Sequence, residues 1–161
     1  MLFRSLTVKE KLQAVGLRQY EISNFAKPGK ESAHNINYWR CGDYIGLGVG
    51  AHSHKNGRRF WNTSNLFDYI QKLGSGGSGE EASETLSGHQ RLVEAILFGL
   101  RTREGVDVLE LENRFENKLD NEKKDTIKRF ISDGFLFLDK NRLTSTEKGQ
   151  LVLDELSVRL I

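Results

Sequence analysis

Gly134-Phe135-Leu136-Phe137-Leu138-Asp139-Lys140-Asn141-Arg142-Leu143-Thr144 decides how the second half of the chain folds. Two apolar runs flank a polar tip. The stretch therefore reads as a hairpin, with Phe135 to Leu138 and Arg142-Leu143 paired around Asp139-Lys140-Asn141. Gly134 stops the element before it, since glycine tolerates the left-handed conformation that ends a helix. That element, Asp120 to Asp133, places Ile127, Phe130 and Ile131 at helical spacing. Further back, Asp107 and Glu110 cap a short helix ending near Phe115. Ser87 and Gln90 fit a capping box ahead of Leu92, Val93, Ile96, Leu97 and Leu100, which share one helix face. Beyond the hairpin, Thr144 and Glu147 cap a last helix that buries Leu153, Leu156 and Leu160. Three helices, a hairpin and a closing helix predict a winged-helix-like domain over residues 85–161.

Upstream, Gly74-Ser75-Gly76-Gly77-Ser78-Gly79 and the acidic Glu80-Glu81-Ala82-Ser83-Glu84 read as a linker over residues 74–84. Residues 1–73 follow a different rhythm. Thr7 and Glu10 fit a capping box, Val8, Leu12 and Val15 recur at helical spacing, and Gly16 ends that helix. Leu17 to Ile22 reads as a strand. A long loop with Pro28, Gly29, His34 and Trp39 follows. Tyr44 to Gly48 reads as a buried strand entering a glycine turn, Arg58 to Asn62 as a short strand, and Ser64 to Leu73 as a helix. The fold class is α+β, with no internal repeat.

Composition narrows the function classes. The chain has 161 residues, 37% hydrophobic and 29% charged, a balance typical of packed domains. No apolar run reaches the roughly 18 residues of a membrane span, and the first residues show no signal-peptide pattern. A cytoplasmic location is expected. The single cysteine, Cys41, can neither form an internal disulfide nor hold an iron–sulfur cluster alone. Residues 1–79 carry eleven Lys and Arg against five Asp and Glu, a net +6. Residues 80–161 carry thirteen against seventeen, a net −4. The basic half suits an anionic ligand. The acidic half, and the balanced charge of Asp120 to Asp133, do not suit a nucleic-acid backbone.

Residues 19–54 hold the chemistry. His34, His52 and His54 fall there, with Tyr38, Trp39 and a Gly46-x-Gly48-x-Gly50 run. Imidazole can ligate iron, and aromatic rings can stack on a flat macrocycle. By residue type alone, a loop histidine is more often a hydrogen-bonding group, and Tyr38 and Trp39 are more often core anchors. The glycine run lacks the lysine of a P-loop and reads as a tight turn or close approach. Glu21 and Asp43 are candidate acid–base groups of a kind found in any protein.

Three stretches carry a resemblance. Tyr20-Glu21-Ile22-Ser23-Asn24-Phe25-Ala26-Lys27-Pro28-Gly29, His34-Asn35-Ile36-Asn37-Tyr38-Trp39 and Tyr44-Ile45-Gly46-Leu47-Gly48-Val49-Gly50-Ala51-His52-Ser53 resemble, in this order, motifs of HemW-type proteins. These are heme-handling relatives of oxygen-independent coproporphyrinogen III oxidase. Leu100 to Asp107, Gly134-Phe135-Leu136 and Leu143-Thr144 resemble the family's C-terminal domain.

The resemblance implies that residues 1–73 are the closing part of a radical-SAM α/β barrel and that residues 85–161 are the C-terminal domain. Family members carry a C-x-x-x-C-x-x-C motif for a [4Fe–4S] cluster and a G-G-T-P-[ST] motif for S-adenosylmethionine. Neither occurs here, so the chain alone is expected to do no radical chemistry. The H-N-x-x-Y-W motif is associated with heme binding in the family. The resemblance thus implies heme contacts for His34, Tyr38 and Trp39, with His34 as the iron ligand, and the basic charge of this half is expected to add attraction for the propionates through Lys27, Lys30 or Arg40. It also implies that Gly48, Gly50 and His52 lie near S-adenosylmethionine in a full-length member. Heme or porphyrin and the rest of the barrel are the expected partners, and the unpaired barrel strands are expected to be covered by a second copy or by the chain's own C-terminal domain folded over them. A portion of a true coproporphyrinogen oxidase and an independent winged-helix module are the competing readings.

Overall fold

The computed structural model describes residues 2–160, with side chains from Thr7 onward. Helix α1 (Leu2–Ala14) opens the chain and runs through Thr7, so Thr7 is not its cap. It ends as the sequence predicts. Gly16 takes φ 80° and Leu17 N–H donates back to Leu12 O at 3.0 Å, closing the last turn. The strand expected over Leu17 to Ile22 shrinks to β1 (Arg18–Gln19), paired antiparallel with β2 (Phe25–Ala26).

The expected long loop contains a helix, α2 (Ala33–Trp39). The Ser32 hydroxyl caps it by accepting from Asn35 N–H at 3.3 Å. Then come β3 (His52–Lys55), β4 (Arg58–Asn62), α3 (Leu66–Gly74) and β5 (Glu80–Thr85). The strands β3-β4-β5 form an antiparallel sheet in that order. Half of the stretch read as a linker is therefore a strand. Phe60 pairs with Ser83 and Trp61 with Ala82, and Gly79 O accepts from Thr63 N–H at 2.9 Å.

Tyr44 to Gly48 is not a buried strand. Its pairing is a single bridge between Tyr44 and His54, and Ile45 and Leu47 are exposed. An extended segment needs a neighbour for its N–H and C=O groups. Here the glycines let it run as a loop: Gly46 packs so closely on the His52 carbonyl that a Cβ would lie 2.2 Å from it. Every strand pair among the described residues is antiparallel.

The second half follows its sequence closely. It comprises α4 (Gly88–Gly99), β6 (Val106–Asp107), α5 (Val108–Arg114), α6 (Asn121–Ser132), β7 (Leu136–Asp139) and β8 (Arg142–Ser145), then α7 (Glu147–Leu151) and α8 (Leu153–Val158). Both capping-box bonds of Ser87 and Gln90 form, and Asp107 and Asp120 cap α5 and α6. Thr144 lies in β8, so the cap of α7 falls to Thr146. The single closing helix expected is two, broken at Val152. The hairpin places β8 between β6 and β7.

The hydrophobic core belongs to this half. It runs from Leu92 to Leu160, with Leu92, Leu100 and Leu143 fully buried. From the first half, Ile22 and Cys41 reach its edge. The halves dock by a Glu21–Thr102 bridge, by Arg103 N–H donating to Tyr20 O at 3.0 Å, and by ion pairs Lys9–Glu147, Arg40–Glu104 and Arg59–Glu94. Each of these pairs joins a base of the basic half to an acid of the acidic half. Among the described residues no helix is long and apolar enough to cross a membrane.

Candidate functional site

A cavity of about 580 Å³ opens where α2, the β3-β4-β5 sheet and α4 meet. That is within the size range of small-molecule sites, about 300–1,000 Å³. Tyr38 from α2, then Cys41, Gly42 and Tyr44, form one wall. His52 and His54 from β3, Arg59 and Trp61 from β4 and Glu84 from β5 form another. Glu94 and Phe98 of α4 close it. Strand β3 puts both histidines on one face because they are two residues apart.

The lining is aromatic and flat. Tyr38 and Tyr44 stack with ring centroids 4.2 Å apart and planes 28° from parallel. His52 stacks on Trp61, its cross-strand partner, at 5.6 Å and 25°. Such faces take a planar aromatic ligand. Burial, and then the neighbouring Tyr38, push the Tyr44 phenol above its ordinary pKa, so it is a neutral donor at physiological pH.

Charge is balanced within the walls. Arg59 is bridged by Glu84 and Glu94. Burial alone lowers its pKa, but these carboxylates outweigh that and raise it. One cation against two carboxylates leaves no free positive charge. An anionic group therefore gains nothing by entering deeply and stays at the mouth. Cys41 is a thiol here: burial, then Glu94, push its pKa up to about 11.

The residues singled out in sequence are divided. Tyr38 and His52 line the cavity. His34 sits one turn before Tyr38 on the same helix face, exposed, with its ring edge-on to Tyr38 at 5.0 Å, and lies outside the lining. Trp39 faces elsewhere. It packs on Phe98 at 6.1 Å under the Arg101 guanidinium, with its indole N–H buried and unpartnered. It lines a separate cavity of about 310 Å³ with Arg40 and Glu104. Arg40 is thus engaged away from the aromatic walls, and Lys27 and Lys30 are exposed.

Gly48 and Gly50 turn the chain, with φ of 103° and 63°. Their backbone is already committed: Gly48 N–H donates to Tyr69 Oη, and Gly50 N–H to Thr63 O. Glu21 is fully buried, its Oε1 accepting from Ser23 N–H. Asp43 holds Asn56 N–H. Tyr44, His54, Arg59, Trp61 and Phe98 were not assigned from sequence. Reading 52–55 as a strand would have aligned His54 with His52.

Residues 86–152 match the model of the HemN C-terminal domain family. The chain is 31% identical to the heme chaperone HemW of Bacillus subtilis over 148 residues, covering 92% of this chain and 39% of that protein. It is 34% identical to HemW of Lactococcus lactis over 134 residues, covering 83% and 35%. The coproporphyrinogen III oxidase HemN of Escherichia coli, a radical SAM enzyme, shares its fold: TM-score 0.76 at 18% identity, over 96% of this chain and 39% of that one. The chain thus resembles the HemW proteins over most of its own length and spans well under half of theirs.

Proposed function

We propose that the chain is the heme-binding C-terminal portion of a HemW-type heme chaperone. The observation that carries this is the cavity beside the H-N-x-x-Y-W helix, walled by two stacked ring pairs and two histidines. The residues fit a heme. Tyr38, Tyr44 and Trp61 would hold the macrocycle, and an imidazole nitrogen would ligate the iron, while Arg59, engaged by Glu84 and Glu94, would not be free to pair with the propionates. When bound, heme would supply a redox-active, Lewis-acidic iron, and the chain would supply orientation and exclusion of water. His34, exposed beside Tyr38, is the residue placed to meet heme first.

The chaperone reading is favoured over the oxidase. Relatives more than 30% identical over most of the chain bear the chaperone name, while the oxidase resembles it at 18%. In a full-length member, Gly48, Gly50 and His52 would neighbour S-adenosylmethionine, and the [4Fe–4S] cluster would come from cysteines this chain does not contain. Residues 1–73 would close that barrel. The order helix, strand, two helices, hairpin, with β8 central, supports a winged-helix-like docking domain in the second half. A lone free thiol suits a reducing compartment such as the cytoplasm.

Titrating hemin into the 161-residue chain tests the reading. Saturable binding with a shifted Soret band is expected, weakened by His34→Ala and unchanged by His89→Ala. His89 lies on α4 and pairs with Asp120 outside the cavity. No saturable Soret shift, with circular dichroism confirming the fold, would refute it.

A further inference from the structure

His54 differs from the other histidines in how it is held. Its ring Nδ1 lies 3.2 Å from Gly42 O and 3.8 Å from an Asp43 carboxylate oxygen. Its backbone is locked on both sides, Tyr44 N–H donating to His54 O at 2.8 Å and His54 N–H to Tyr44 O at 3.0 Å. The side chain is 12% exposed and lines the cavity, where its ring neighbours Tyr44 at 6.2 Å.

A carbonyl oxygen only accepts. Nδ1 must therefore carry the proton in that bond, and in the neutral ring Nε2 keeps the lone pair. A histidine that donates one ring N–H to a backbone carbonyl, with a carboxylate behind it, is held in one tautomer and one orientation, with the lone pair of its other nitrogen free. This is how protein ligands to metals are commonly held. Cys41 offers no competing thiolate, and Tyr44 is a neutral phenol beside it. His52 stacks on Trp61, and among the described residues no hydrogen bond to a ring nitrogen fixes its tautomer.

We propose, resting on the heme reading above, that His54 Nε2 is the iron ligand inside the cavity and that His34 is the outer one. The rings His34, Tyr38, Tyr44 and His54 form a continuous row, with successive centroids 5.0, 4.2 and 6.2 Å apart. The exposed histidine stands at one end and the held histidine at the other.

The conservative variant is His54→Asn. Its side-chain amide preserves a donor to Gly42 O and has no nitrogen lone pair for iron. Hemin titrations of the 161-residue chain are read by Soret position and affinity, alongside His54→Gly with and without added imidazole. His54→Asn should keep its fold, shift the Soret band from the wild-type position, and weaken binding by at least the roughly tenfold that loss of even an outer-shell partner costs metal sites. Imidazole should restore the wild-type band in His54→Gly. A His54→Asn titration that matches wild type in band and affinity would overturn the assignment of His54 and leave the heme reading standing. A wild-type chain that binds no hemin would overturn the heme reading itself.

Discussion

At Cys41, burial decides the chemistry. The residue takes φ 52° at the cavity wall, and its pKa rises to about 11. The thiol should resist a disulfide reagent at pH 8 in the native chain and react rapidly in denaturant; equal rates would contradict its placement. The pH dependence has a definite sign. Between pH 9 and about 11 the folded thiol keeps a proton that the unfolded one has lost. The stabilisation present below pH 9 is therefore lost across that window, and chemical denaturation should show it, with Cys41→Ala reducing the slope to the share that the raised Tyr44 phenol contributes. At this scale the sequence was half legible. Helical spacing puts His34 and Tyr38 on one face and sends Trp39, five residues on, round to Phe98. That could be seen only once 33–39 was known to be a helix. The motif read as one loop therefore divides between two cavities.

Elements marked by local chemistry were legible, and those made by distant pairing were not. The capping box at Ser87 forms both its bonds. Ser87→Ala should cost about 0.5–2 kcal/mol in chemical denaturation. The hairpin at 136–145 follows its polar tip, and fully buried Leu143 on its central strand should cost about 2–5 kcal/mol when cut to alanine. A loss under 1 kcal/mol would mean that the strand is not in the core. Strand β5 was misread because its serine and glutamates, directly after a Gly/Ser run, suggest a linker by composition. What makes them a strand is β4, some twenty residues upstream, which no local pattern reports. Thr144 fails as a cap for a related reason: β8 claims its backbone first.

The whole molecule carries an uncovered face. Leu66, Phe67, Ile70 and Leu73 of α3 are all exposed, as are Ile45, Leu47 and Val49. The second half does not fold over them. Apolar patches of this kind drive association, and a second copy of the chain is the simplest cover. Light scattering should show concentration-dependent association that Phe67→Glu with Ile70→Glu suppresses; a monomer at all concentrations would contradict it. The same face is also where hemin would adsorb without a specific site. The central claim is therefore tested most directly by determining the structure of the hemin-loaded chain carrying Phe67→Glu and Ile70→Glu. The account predicts the macrocycle in the cavity between α2, the β3-β4-β5 sheet and α4, with the iron bonded to His54 Nε2. Heme found elsewhere on the surface, or an empty cavity in the loaded protein, would contradict it.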